Sequence, residues 1–305
     1  MAVAAKLFAY HILQIKARIP NFKDEQDEKM KLSFSTLGCP DWDLDTIIAR
    51  AGEYGFDGIE FRGIQDELDV SQLAAFGKNT QTTRRKMEAA GISVACFASS
   101  VSMSSINQSN ESAALDEIKR YVDLCETFRA PYIRIFGGSI GSMSWQEAID
   151  KAAQLLLKAD DILADSTTKI LIETHDDWVQ SHHLKMLMQQ VNLPRVGVLW
   201  DVNHPFMFVG EQPETTCRLL KPWIQHTHWK DSRVQPESEH GFLPCLMGDG
   251  VVPHKRIYHQ LREMGYSGFL SLEWEKRWYP QIPGPEVAFP NYVSYMKKLM
   301  QNSDA

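Results

Sequence analysis

From Met30 onward the chain alternates between short β-branched, apolar runs and longer stretches of helical periodicity, and it does so eight times. The runs fall at 32–36, 58–62, 92–98, 132–136, 169–174, 196–201, 224–230 and 268–275. Helical patterns follow at 44–54, up to about Ala90, and at 111–128, 145–164, 179–190, 214–220, 255–264 and 285–300. Asp43 is placed to cap the first helix, and Gly91 to stop the second. Few folds accept eight such units in one chain without a break in composition. A single-domain (β/α)8 barrel does, and its usual size of ~250 residues fits inside the 305 here. A doubly wound open sheet is the competing solution. It would bring a Gly-rich phosphate loop after the first strand, and Gly38-Cys39-Pro40 is not one.

The barrel is expected over residues 31–305, with 1–30 as an accessory or disordered extension. In that extension the stretch from Leu7 to Ile15 is broken by Tyr10, His11 and Gln14, and a charge run, Lys23 to Lys29, follows. A secretory signal is therefore not expected; a targeting peptide is the alternative. Acidic residues outnumber Lys and Arg by 39 to 32, for a formal charge of −7, which disfavours nucleic acid as a partner. No apolar run reaches the roughly 18–20 residues needed to span a bilayer, so no membrane partner is expected. Cys39, Cys96, Cys125, Cys217 and Cys245 form no CxxC pair and read as reduced thiols of a cytoplasmic protein.

In such a barrel the chemistry sits at the carboxyl ends of the strands. Strand five ends in Glu173-Thr174-His175, and strand six in Asp201-Val202-Asn203-His204. Strand seven carries His226, His228 and Lys230 on one face, and strand eight ends around Glu273 and Glu275. Four consecutive ends thus offer two Glu, one Asp and a His at neighbouring positions. That oxygen-rich set suits one Mn²⁺ or Mg²⁺ ion, with Co²⁺ or Zn²⁺ as alternatives. Each carboxylate alone could be a helix cap or an ion-pair partner. All four together are costly to desolvate unless a cation compensates.

The segments LSFSTLGCPDWDLDTIIARAGEYGFDGIEFRG, IRIFGG, ETHDDW, WDVNHP, HTHWKDSR, LMGDG and GFLSLEWEKRW, in that order, resemble the xylose-isomerase-like barrel superfamily, in its sugar phosphate isomerase/epimerase branch. The resemblance implies Glu173, Asp201, His228 and Glu273 as metal ligands, with Glu173 and Glu273 also exchanging protons with substrate. It implies substrate-orienting roles for His204 and for Arg233, although the family's arginine lies one residue further along. His175 becomes a substrate contact, and Lys230 either holds a substrate oxyanion or neutralises the carboxylates. Glu60 and Arg62 share an inward face of strand two, where they either pair with each other or reach substrate. Arg134 has the same two options. Trp42, Trp229 and Trp274 are core or pocket wall, and His182, His183, His240, His254 and His259 read as solvated.

A cation holding a carbonyl and its neighbouring hydroxyl acidifies the C–H between them, and flanking carboxylates can move that proton. Return of the proton gives an isomerase or epimerase of a sugar, a sugar phosphate or another polyol, which is the first expectation. Departure of a β-hydroxyl instead gives a dehydratase of the inosose or 3-dehydroshikimate type. An endonuclease IV-like nuclease needs additional histidines after strands two and three, where Arg62 and Phe97-Ala98-Ser99 stand. A barrel that only binds is the remaining alternative. Barrels of this branch often dimerise, so a homodimer is a partner the resemblance offers.

Overall fold

Strand β6 (Val196–Asp201) is buried along its whole length. A parallel strand needs such an uninterrupted sequence when one face lines a barrel and the other meets helices. In chain order the elements are β1 (Lys31–Ser35), α1 (Leu44–Tyr54), β2 (Gly58–Phe61), α2 (Thr80–Ala90), β3 (Ser93–Ser102), α3 (Glu111–Phe128), β4 (Tyr132–Phe136) and α4 (Trp145–Ile162). Then come β5 (Lys169–Glu173), α5 (Ser181–Val191), β6, α6 (His204–Val209), α7 (Pro213–Leu220), β7 (Ile224–Trp229), β8 (Asp231–Val234), β9 (Phe242–Cys245), α8 (His254–Glu263), β10 (Phe269–Leu272) and α9 (Pro285–Asn302). Eight strands close into one parallel barrel in the order β1-β10-β7-β6-β5-β4-β3-β2, as expected for a (β/α)8 domain. This computed structural model describes residues 30–302. The expected extension lies outside the described residues, except for Met30, which is buried.

Local chemistry sets the helix ends. The Asp43 carboxylate accepts from the Thr46 amide at 2.8 Å, and Gly55 closes α1 in the left-handed region. Ser144 and Glu147 form a reciprocal capping box at the start of α4. Helix α9 seals the barrel wall with Phe289, whose ring meets Phe34 at 4.5 Å, Phe56 at 5.8 Å and Trp42 at 5.7 Å. Trp42 therefore packs on the core. Trp229 and Trp274 are buried too, their indole N–H groups donating to Thr227 Oγ1 and the Pro283 carbonyl. Trp229 and Trp274 are therefore not open pocket walls, whereas Trp42 is half-buried against the core. All five cysteines are free and buried. No helix among the described residues is long and apolar enough to cross a membrane.

Two elements depart from the eightfold repeat. Helix α6 starts immediately after β6, with Pro205 at its first turn. The antiparallel hairpin β8–β9 stands on the carboxyl end of β7, with Asp231 opposite Cys245. Its root is the buried Asp231 carboxylate. That group accepts from the amides of Ser232 (2.9 Å), Gly248 (2.9 Å), Gly250 (3.0 Å) and Val252 (3.2 Å). A Cβ on Gly250 would fall 2.1 Å from Asp231 Oδ1, so only glycine fits there. The hairpin brings Phe242 edge-on to the half-exposed Phe208 of α6 at 5.0 Å, and Phe208 meets His204 at 5.4 Å.

Candidate metal centre

Glu173 ends β5, Asp201 ends β6, and His228 lies in β7 directly opposite Asp201. Glu273 follows β10 by one residue and stays in register because its amide donates to the Trp229 carbonyl at 3.0 Å. Alternation turns all four side chains inward. Each offers a ligand atom, these atoms lie within 4.8 Å of one another, and all four residues are buried. Glu173 Oε2 and Asp201 Oδ2 are sealed from solvent and accept no well-aligned hydrogen bond; each faces one cation, Arg134 Nε at 3.2 Å and Lys230 Nζ at 3.0 Å. Three buried carboxylates so close together are costly, and a divalent cation among them would supply the charge and coordination that these imperfectly aligned pairs do not. The donor set fits the expected ion.

The orientation of His228 is fixed from below. Its Nδ1 faces the carboxylates, 3.0 Å from Glu173 Oε1 and 3.3 Å from Glu273 Oε1. Its Nε2 lies 2.9 and 3.0 Å from the two oxygens of Glu60. Glu60 also meets His226 Nε2 at 2.9 Å and accepts from Ser271 at 3.4 Å. Glu60 thus neither pairs with Arg62 nor opens toward substrate; it anchors a ligand from the layer beneath, as carboxylates behind metal-bound imidazoles do. Cys96 adjoins this lower layer, but burial pushes its thiol pKa far up, so it stays protonated. Glu60→Gln is expected to weaken divalent-ion affinity by about 10- to 100-fold while leaving the four ligands in place. A calorimetric Mn²⁺ titration checks this, and an unchanged affinity would remove Glu60 from the centre.

Cations surround the acidic cluster. Arg134 is almost wholly buried, with Nε 3.2 Å from Glu173 Oε2 and Nη1 donating to the Ser99 carbonyl at 3.1 Å. Its guanidinium lies over the Phe136 ring at 3.8 Å. Of its two expected roles, Arg134 takes the ion pair. Lys230 Nζ reaches Glu273 at 2.6 Å, Asp201 at 3.0 Å and Glu275 at 3.1 Å. Burial alone would lower the lysine pKa, but these three carboxylates raise it well above normal. Glu273 is held well below the usual carboxylate range because His228 and Lys230 outweigh its burial. For Asp201 burial prevails over Lys230, and its carboxyl is pushed up to about 6.

His204 Nε2 lies 3.1 Å from Lys230 Nζ. Burial and the lysine charge push its pKa well down, so the ring is neutral and Nε2 accepts from the ammonium. His175 sits at the mouth, its ring 4.7 Å from His204, with Nδ1 2.8 Å from Asp176. Arg62 is buried at the end of β2. Arg233 is the exception: it points to solvent from β8, and no hydrogen bond or ion pair joins it to the cluster among the described residues. Of the histidines read as solvated, His183 and His254 are buried, and His254 Nε2 contacts the Lys230 carbonyl at 3.2 Å. Sequence reasoning passed over Glu275, although its alternation with Glu273 was a usable signal.

Together the closed parallel barrel and the four inward candidate ligands at consecutive strand ends define a TIM barrel with a candidate metal centre. The chain belongs to the xylose isomerase-like TIM barrel family, whose pattern matches residues 48–298. Its curated relatives include the 3-dehydroshikimate dehydratase of Bacillus anthracis, 22% identical over 253 residues, which span 75% of this chain and 84% of that protein. They also include the inosose dehydratase of Geobacillus thermodenitrificans (strain NG80-2), 23% identical over 288 residues, 85% of this chain and 94% of the relative. Among solved structures, an IOLI protein with a bound zinc atom superposes with a TM-score of 0.73 at 18% identity, over 90% of this chain and 99% of that one.

Proposed function

We propose that this protein is a divalent-metal-dependent lyase that removes water from a cyclic, polyhydroxylated ketone. The observation that carries the reading is the Lys230–Glu273 pair at 2.6 Å, a proton donor beside a base at the edge of the ligand cluster. A divalent ion held by Glu173, Asp201, His228 and Glu273 would supply electrophilic polarisation of the substrate carbonyl, which acidifies the neighbouring C–H.

Glu273 takes that proton. The electron pair left on carbon forms the new double bond as the β-hydroxyl departs, and Lys230 protonates the leaving oxygen to give water. His204, accepting from the same ammonium, keeps the donor aimed into the site. Both carboxylates touch His228 and one cation; what sets Glu273 apart is that its cation, Lys230, can give up a proton, whereas the Arg134 guanidinium beside Glu173 cannot. The two dehydratases among the relatives support this choice over simple proton return.

A second reading, isomerase or epimerase of a sugar or sugar phosphate, is favoured by the convergence of Glu173 and Glu273 on His228 Nδ1, which places two carboxylates around one point. Incubating the Mn²⁺-loaded protein with 3-dehydroshikimate and with inosose in heavy water separates the two. The lyase gives an unsaturated product by ultraviolet absorbance and NMR. Deuterium exchange without loss of water supports the second reading, and no change in either ketone rejects the lyase assignment.

A further inference from the structure

Arg62 is only 7% exposed, yet no carboxylate among the described residues lies within salt-bridge distance of its guanidinium. Of its five N–H donors, one is used, by Nη1 to the Leu68 carbonyl at 3.3 Å. The backbone around it is fastened on both sides by one hydroxyl. The Arg62 amide donates to Thr36 Oγ1 at 2.9 Å, and that hydroxyl donates to the Gly63 carbonyl at 2.6 Å. Gly63 takes a φ of 78°, and a Cβ there would sit 3.0 Å from the Glu67 carbonyl, so the chain turns sharply just after the arginine. Two residues beyond Glu60, Arg62 continues the inward face of β2 into the barrel mouth. Burial and the nearby charge of Arg134 bring its pKa down to about 10, with Tyr121, Glu117 and Glu273 acting in the opposite sense. Of these neighbours, Arg134 and Glu273 belong to the site.

A fixed, buried guanidinium with spare donors is costly unless an anion completes it. We propose that Arg62 receives a carboxylate of the substrate, which makes that substrate a cyclic hydroxy-keto acid rather than a neutral inositol-like ketone. One guanidinium matches one planar carboxylate, charge for charge and fork for fork, whereas a phosphate dianion calls for more than one cation. The assignment rests on the lyase reading for the rest of the substrate and is tested apart from it.

The test is calorimetric binding of shikimate and of its neutral methyl ester to the Mn²⁺-loaded wild type, Arg62→Gln and Arg62→Lys. The wild type is expected to favour the acid by roughly ten- to hundredfold, the strength of a charge-assisted bond. Arg62→Gln equalises the two ligands, Arg62→Lys keeps part of the preference, and the Mn²⁺ stoichiometry stays the same in all three. Removal of an unpaired buried charge should not lower Tm, which separates lost recognition from lost folding. A wild type that favours neither ligand, or binds neither, overturns the proposal, as does Arg62→Gln with its preference intact. Tighter binding of fructose 6-phosphate than of shikimate, abolished by Arg62→Gln, overturns it in favour of a phosphate ester. An acid preference lost in Arg62→Gln, with neither ketone dehydrated, supports this subsite while rejecting the lyase.

Discussion

The wild type is expected to purify with a divalent ion and Asp201→Ala without one, with turnover lower by about 10³-fold or more. The Asp201 carboxylate has divided duties. Its Oδ1 accepts from the amides of Asn203 at 2.8 Å and His204 at 2.9 Å, which leaves Oδ2 as the oxygen free to ligate. Alanine removes that oxygen and frees Lys230 from one of its three carboxylates. The fold should survive, because burial already disfavours the charge on Asp201. Metal content per chain by mass spectrometry, alongside Tm, checks this. A variant that keeps its ion would place the centre elsewhere, and near three zinc ions in the wild type would point back to the nuclease type.

Glu273→Gln is expected to lower kcat by about 10²- to 10⁴-fold, the range for loss of a general base. Glutamine keeps the side-chain volume and one ligating oxygen, so part of the metal affinity survives. Lys230, now without its 2.6 Å partner, still has Asp201 and Glu275. The discriminating readout is solvent exchange at the carbon next to the substrate carbonyl, followed by NMR in heavy water. In Glu273→Gln that exchange should fall in step with kcat. Exchange at the wild-type rate would exclude Glu273 as the base and transfer the role to Glu173.

Much of the barrel is legible in the sequence because strand and helix periods are local signals. The stretches 111–128, 132–136 and 196–201 match the elements in the structure, and Asp43 and Gly91 terminate helices as their chemistry suggests. The hairpin β8–β9 and helix α6 were not legible. Helix α6 is only six residues long, and the hairpin depends on amides that return to Asp231 from 17 to 21 residues away. The same contrast holds in the site. The four candidate ligand positions follow from strand ends and alternation, both of which are near-neighbour properties. That Glu60 would brace His228 rather than pair with Arg62 depends on a contact across the barrel, 168 residues apart. Arg233 is the opposite case: the resemblance gave it a substrate-orienting role with an offset of one residue, and in the structure it lies exposed on β8.

The Asp231 root also makes the segment that follows it a replaceable cassette. Both ends of the stretch 231–252 are tied to one carboxylate, while its tip closes through the Gln235 amide and the Gly241 carbonyl at 2.8 Å. Insertions at that tip need not disturb barrel register, and each doubling of loop length costs only about 0.6 kcal/mol in closure entropy. The tip nevertheless governs what stands over the mouth, because Phe242 leans on Phe208 and Phe208 on His204. Selection can therefore lengthen, shorten or exchange this rim while the ligand cluster below stays unchanged, so that one catalytic floor accepts a succession of different lids.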